Sequence, residues 1–231
     1  QGSGSGLATI DDKTPTAAEE IWDGLDGGGA SATSVGGLVG AAGNSGVLNY
    51  VKTIAGITFN GAARRGSGTA NSDGASSGAG QGAWDFALTG SGDDMGAPGL
   101  AWGFGYGETE VTSVRTDEHS TIFANYSAGM ATFGYQMSEI ASGATGGTDE
   151  LTDAWGIAIN VNDDLSVSYG EREVEFDKAS AANVTEEGDG IAISYTMGSI
   201  KIAGNHNSVT HNDGTANSND EMTEIAVSFA F

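Results

Sequence analysis

Leu100-Ala101-Trp102-Gly103-Phe104-Gly105-Tyr106-Gly107 alternates a bulky apolar side chain with a tiny one at every step. Successive side chains on a strand point to opposite faces, so this run reads as a β-strand with one bulky and one near-bare face. The same period continues through Trp84, Phe86 and Leu88, then Ile122, Ala124 and Tyr126, then Phe133, Tyr135 and Met137. It recurs at Trp155, Ile157 and Ile159, at Val167 and Tyr169, at Ile191, Ile193 and Tyr195, at Ile200 and Ile202, and at Ile225, Val227, Phe229 and Phe231. With two further segments near 46–52 and 56–64, the count is about eleven strands. The chain is therefore read as all-β and antiparallel.

Composition narrows the class. The 231 residues include 8 Lys plus Arg against 31 Asp plus Glu, a net charge of −23. Nucleic acid is excluded as a partner, because neutralising phosphates requires clustered cations. There is no cysteine, which excludes disulfides, thiolate metal sites and cysteine nucleophiles. No apolar run approaches ~20 residues, so no transmembrane helix is expected, while strands that cross a membrane are left open. Glycine supplies 39 residues, more than twice its usual ~7 %. The chain begins at Gln1 without the charged and apolar regions of a signal peptide; a removed leader or a missing upstream part is expected.

The second face of each strand decides between architectures. It carries Gly, Ala, Ser, Thr and Asn, where a soluble sandwich would present long charged residues. Glycine weakens a water-facing sheet, so the pattern suits a wide barrel with its bulky face in lipid and its small face inside. Arg64, Arg172 and Lys201 fall on the small face; Lys52 is on the large face beside a short turn, where it can snorkel. Glu171, Glu173 and Glu175 also fall on the large face, at the loop end beyond the apolar band. Links alternate in length: short at 53–55, 128–129, 162–164 and 197–199, intermediate at 90–99, and long at 66–80, 109–119, 141–150, 178–187 and 210–220.

Residues 1–45 differ from the strand region 46–231. Gly2–Gly6 and Gly27–Gly40 are rich in small residues and flank Thr14-Pro15-Thr16-Ala17-Ala18-Glu19-Glu20-Ile21-Trp22-Asp23-Gly24. Thr14 can cap, Pro15 suits a first helical position and Gly24 a helix end. One short acidic helix in a long flexible segment is expected.

These strands, together with the final Glu221-Met-Thr-Glu-Ile-Ala-Val-Ser-Phe-Ala-Phe231, resemble the general porins of Gram-negative outer membranes, most nearly the α-proteobacterial branch. The resemblance implies a trimer of 16-stranded barrels in which the loop after the fifth strand folds inward, carries a short helix and narrows the pore. If 1–45 is that loop, the eleven strands are the sixth to sixteenth and the first five are missing. Phe229 and Phe231 then resemble the terminal signal of barrel assembly, which implies outer-membrane lipid, lipopolysaccharide and the barrel-assembly machinery as partners.

The expected function is passive diffusion of small hydrophilic solutes and ions, with no chemical step. Asp11, Asp12, Glu19, Glu20, Asp23 and Asp26 are the expected constriction acids, opposed by Arg64 and Arg172; a net acidic lumen favours cations. The bland alternative is that these acids only solvate a loop. Loop acids Asp94, Asp149, Asp189 and Asp213 offer weak calcium ligation, but no Asp-x-Asp-x-Asp-Gly loop is present. No cofactor is expected. The histidines His119, His206 and His211 sit at loop ends, and His211-Asn-Asp213-Gly reads as a turn. A structural or adhesive barrel with partner-binding loops is the alternative function.

Overall fold

The structure is a computed structural model that describes residues 6–25, 35–43, 46–66, 82–112 and 115–230. Eleven antiparallel strands form one meander in which each strand pairs with the next. They are β1 (Val47–Ile54), β2 (Ile57–Arg64), β3 (Ala83–Ser91), β4 (Leu100–Thr112), β5 (Arg115–Ala128), β6 (Ala131–Ala141), β7 (Thr148–Asn160), β8 (Leu165–Lys178), β9 (Val184–Met197), β10 (Ile200–Thr210) and β11 (Asp220–Phe229). Among the described residues β1 and β11 each have one neighbour, so the sheet is open along both edges.

Register follows the alternation. Phe59 lies opposite Leu88, Leu88 opposite Phe104, Phe104 opposite Ile122, and Ile122 opposite Met137. A slip of one residue in any pairing would turn that strand's bulky set inward, so the pattern fixes the pairing. Among the described residues nothing covers the resulting apolar band: Ile122 is 58 % exposed, Ile191 57 % and Phe133 51 %. Toward the loop end the band passes into ring pairs, Trp84 with Tyr106 and Trp155 with Tyr169. Carboxylates crown these rings. Tyr106 donates to Glu108 at 3.0 Å, Tyr169 to Glu171 at 2.7 Å, and Tyr135 to Asp153.

The tight turns β1–β2, β5–β6 and β9–β10 all lie at one end of the sheet, and the links 142–147, 179–183 and 211–219 at the other. The expected long link 109–119 is corrected: Thr109 pairs with Asp117 and Thr112 with Arg115, so both strands run almost to the tip. The β-branched Thr109, Val111 and Thr112 favour extended backbone there.

The acidic helix over 14–24 is corrected too. Those residues form bends and turns, and the helical pieces described are single 3-10 turns. The hydroxyl and amide of Thr14 bond to the Asp12 carboxylate at 2.8 and 3.0 Å, and Thr16 Oγ1 donates to the Glu19 carbonyl at 2.6 Å. The backbone amides of Lys13 and Ala17 donate to wall side chains instead of to helical carbonyls. A backbone whose polar groups are satisfied by the wall has no need of a helix.

Candidate functional site

The described parts of residues 6–43 lie against the small-residue face of the sheet, crossing it and returning. The outbound limb, 6–25, starts at β2 and β3. Gly6 N donates to Asn60 at 3.1 Å and Leu7 N to Asp85 Oδ1 at 3.1 Å. Leu7, Ile10, Val39, Ala87 and Phe123 close into a buried cluster beneath it. At β6, Gln136 accepts from Lys13 N at 2.7 Å and donates to the Ile10 carbonyl at 2.8 Å, while Asn125 of β5 donates to the Lys13 carbonyl at 2.7 Å. Ala17 N then reaches Ser168 of β8 at 2.8 Å. Asn207 of β10 holds the carbonyls of Glu20 and Asp23 at 3.0 and 2.9 Å. The limb ends in a cluster of Leu25 and Val209 with Trp22 and Met222 packed against it.

The return limb, 35–43, lies nearer the loop end. Gly36 N donates to Glu186 at 3.2 Å, Gly37 N to Glu150 at 2.6 Å, Gly40 N to His119 Nδ1 at 3.5 Å and Ala42 N to Asp85 Oδ2 at 2.7 Å. Asp85 therefore clamps both the start and the end of the segment. The expectation of a flexible segment is corrected for these residues, because Leu7 and Ala42 are fully buried. Glycine on the wall has a second use beyond lining a lumen. A Cβ on Gly105 would collide with the Leu7 side chain, and one on Gly134 with the ring of Pro15. The bare face lets a second layer of chain approach the sheet backbone.

The expected constriction acids fall as follows. Asp11 is half-buried and accepts from Asp12 N at 3.0 Å. Asp12 is tied to Thr14 and accepts from Trp22 Nε1 at 2.6 Å. Glu19, Glu20 and Asp23 lie on the outbound limb, partly exposed; Asp26 lies outside the described residues. Arg64 closes β2 on the inward face, its Nη1 3.8 Å from where a Cβ on Gly43 would stand. Arg172 is inward as expected but is 5 % exposed, paired with Glu186 at 2.9 Å and donating to the Gly36 carbonyl. It fixes the segment to the wall and does not stand free across the lumen from the acids. Phe229 is exposed at the end of β11, and Phe231 lies outside the described residues.

Burial holds the Asp11 carboxyl above the usual carboxylate range. The folded state therefore binds its proton more tightly than the unfolded chain does, and stability falls as pH rises from 3.8 through the raised folded value. Asp11→Asn is expected to raise the urea midpoint at neutral pH and to have no effect below pH 3.8, a difference read by unfolding titrations at both pH values.

The loop acids named for calcium are dispersed. Asp94 lies in the β3–β4 turn, at the opposite end from the rest; Asp149 accepts from Ser142 N at 2.7 Å and Asp189 from Ser208 at 2.6 Å. Among the described residues no cluster of three or more His, Asp or Glu gathers as a metal would require. His119 accepts from Gly40 N of the return limb, His206 of β10 meets Thr223 of β11 at 2.8 Å, and His211 meets the Thr185 carbonyl of β9 at 3.1 Å. Sequence reasoning missed Asp85, Gln136, Glu150, Glu186 and Asn207. For Asp85, Gln136, Glu150 and Glu186 the signal is an acidic or long polar side chain on a face otherwise built of small residues; Asn207 carries none, since Asn is common on that face.

No family model and no curated protein matches the sequence. Solved structures do match in shape. An anion-selective porin from Comamonas acidovorans superposes with a TM-score of 0.61 at 12 % identity, covering 82 % of this chain and 60 % of that one. OmpF of Salmonella typhi, solved with daunomycin, gives 0.59 at 10 % identity, covering 82 % and 62 %. OmpT, an outer membrane protein of Vibrio cholerae, solved in its trimer form, gives 0.60 at 10 % identity, covering 98 % and 77 %. The fold is that of a porin-type β-barrel. The chain spans 60 % of the length of the Comamonas porin. The described residues 6–25 and 35–43 lie on the small-residue face of this sheet.

Proposed function

We propose that this chain is the larger part of an outer-membrane porin, assembled as a trimer, whose inner segment narrows a water-filled channel for small hydrophilic solutes. The observation that carries the reading is the segment itself: a layer of chain strapped across the inward face from β2 to β10 while the outward face is bare and apolar. A soluble protein would cover Ile122, Ile191 and Ile193; a barrel in a bilayer leaves them to acyl chains. Strands outside residues 1–231 complete the barrel, because an unpaired backbone edge costs several kcal/mol per group in hydrocarbon. Five strands before β1 would bring the total to sixteen. The open edges of β1 and β11 support that completion.

Transport is passive: the residues on the inner face bind and position the segment, and no step of bond chemistry is assigned to them. The segment's six acids outnumber its one lysine, and Arg172 is occupied by Glu186. Water beside this edge carries a negative potential, so cations pass preferentially. Selectivity of the Comamonas porin belongs to that protein.

The completed protein in a planar bilayer is expected to open in steps of three and to show a cation-selective reversal potential in a salt gradient. Glu19→Gln with Asp23→Asn is expected to move that potential toward zero. A sealed bilayer at any protein concentration contradicts the reading and favours a structural barrel. On the outward face, Ile193→Arg is expected to cost ~2–4 kcal/mol of folding stability in lipid, read by urea unfolding in vesicles.

A further inference from the structure

The link between β10 and β11, residues 211–219, shares its supports with the inner segment. Glu186 of β9, 1 % exposed, accepts from Gly36 N on the return limb and from Asp213 N on the link at 2.8 Å, while Arg172 holds its other oxygen. Phe176 of β8 is a second bridge. Gly36 and Gly214 both pack on its ring so closely that neither tolerates a Cβ; at Gly214 that atom would stand 2.6 Å from Cγ. The link is also tied down by Lys178, whose Nζ donates to the Gly214 carbonyl at 2.6 Å. Its backbone is demanding: His211, Asp213 and Asn217 all have φ between 52° and 64°, a region that non-glycine residues adopt at a cost. Other links at this end are anchored differently. The 142–147 link bonds to Asp117 and Asp149, and the 179–183 link is held through Asn183 to Lys178 and Glu175.

We propose that the 211–219 link is the latch of the inner segment: whatever displaces its exposed tip at Thr215–Asn217 loosens the return limb at Gly36. Two wall side chains, the Glu186 carboxylate and the Phe176 ring, each touch both pieces of chain, so displacement of either piece removes packing from the side chains that hold the other. Coupling of this kind is reciprocal. The contacts alone carry the coupling; only its consequence for flux rests on the channel reading.

Hydrogen exchange of single amides in the full chain, folded in detergent micelles, tests it. Gly214→Ala changes a residue of the link and presses its Cβ on the shared Phe176 ring. It is expected to speed exchange of the Gly36 amide by at least about tenfold, while Leu7 and Ala42, held by Asp85, stay protected. Gly36→Ala is expected to do the same to the Asp213 amide. Phe176→Leu, which keeps an apolar side chain and removes the shared ring, is expected to release both amides together and serves if either glycine variant fails to fold. Ser142→Ala, in the separately anchored 142–147 link, is expected to change neither. An effect in one direction only, or equal release by Ser142→Ala, overturns the latch. Because exchange is read without current, a protein that conducts nothing can still pass this test, and a conducting one can fail it.

Discussion

Arg172→Met is expected to cost ~3–5 kcal/mol of folding stability, because it leaves the Glu186 carboxylate buried beside no cation. The pair is almost wholly withdrawn from water, at 5 % and 1 % exposure, and the guanidinium also serves the Gly36 carbonyl. An ion pair on a wetted surface would contribute only ~0–1 kcal/mol, so the size of the loss reports whether water reaches this corner of the lumen. The double variant Arg172→Met with Glu186→Gln is expected to recover part of the loss. A neutral amide needs no counter-charge, and its oxygen, placed where Oε2 stands, still accepts from both backbone amides that Glu186 serves. Urea unfolding followed by tryptophan fluorescence measures both variants. A loss under ~1 kcal/mol for the single variant would mean that the segment does not seal the pair from solvent.

Asp85→Ala is expected to free the segment at both ends. Its two oxygens accept from Leu7 N and Ala42 N, and all three residues are buried. Each amide left without a partner costs ~1–3 kcal/mol, so the pair costs ~2–6 kcal/mol if neither finds water. Asp85→Asn keeps one acceptor oxygen and is expected to cost about half as much. Amide exchange separates this effect from a general loosening of the sheet: Leu7 and Ala42 should exchange faster in Asp85→Ala, while strand amides of β6 and β7 keep their protection. Equal acceleration everywhere would mean that Asp85 supports the barrel wall and not the segment.

The strands were legible because lipid and lumen impose a two-residue period that local propensity does not blur. Trp102, Phe104 and Tyr106 predict their own pairing with β3 and β5, and the structure pairs them so. The length of the 109–119 hairpin was not legible, since its charged residues resemble loop chemistry while its threonines and Val111 favour extension. The helix over 14–24 failed for a different reason. Thr14 and Thr16 carry cap-like side chains, but their partners are Asp12 and the Glu19 carbonyl, and the wall that satisfies Lys13 and Ala17 is more than a hundred residues away in sequence. Of the expected site, the inward side of Arg64 and Arg172 follows from parity. The burial of Arg172 does not, because only the fold brings Glu186 and Gly36 to it.

Nitroxide labels placed singly at residues 191–196 of β9, in lipid vesicles, test most directly which face of the wall meets hydrocarbon. Collisions with oxygen, which concentrates among acyl chains, are expected to peak at Ile191, Ile193 and Tyr195 and to fall at Ala192, Ser194 and Thr196. Collisions with a water-soluble nickel chelate are expected to be low at the three outward sites. A period of two in the opposite phase, or outward labels as open to nickel as to oxygen, would contradict a lipid-facing bulky side and with it the channel.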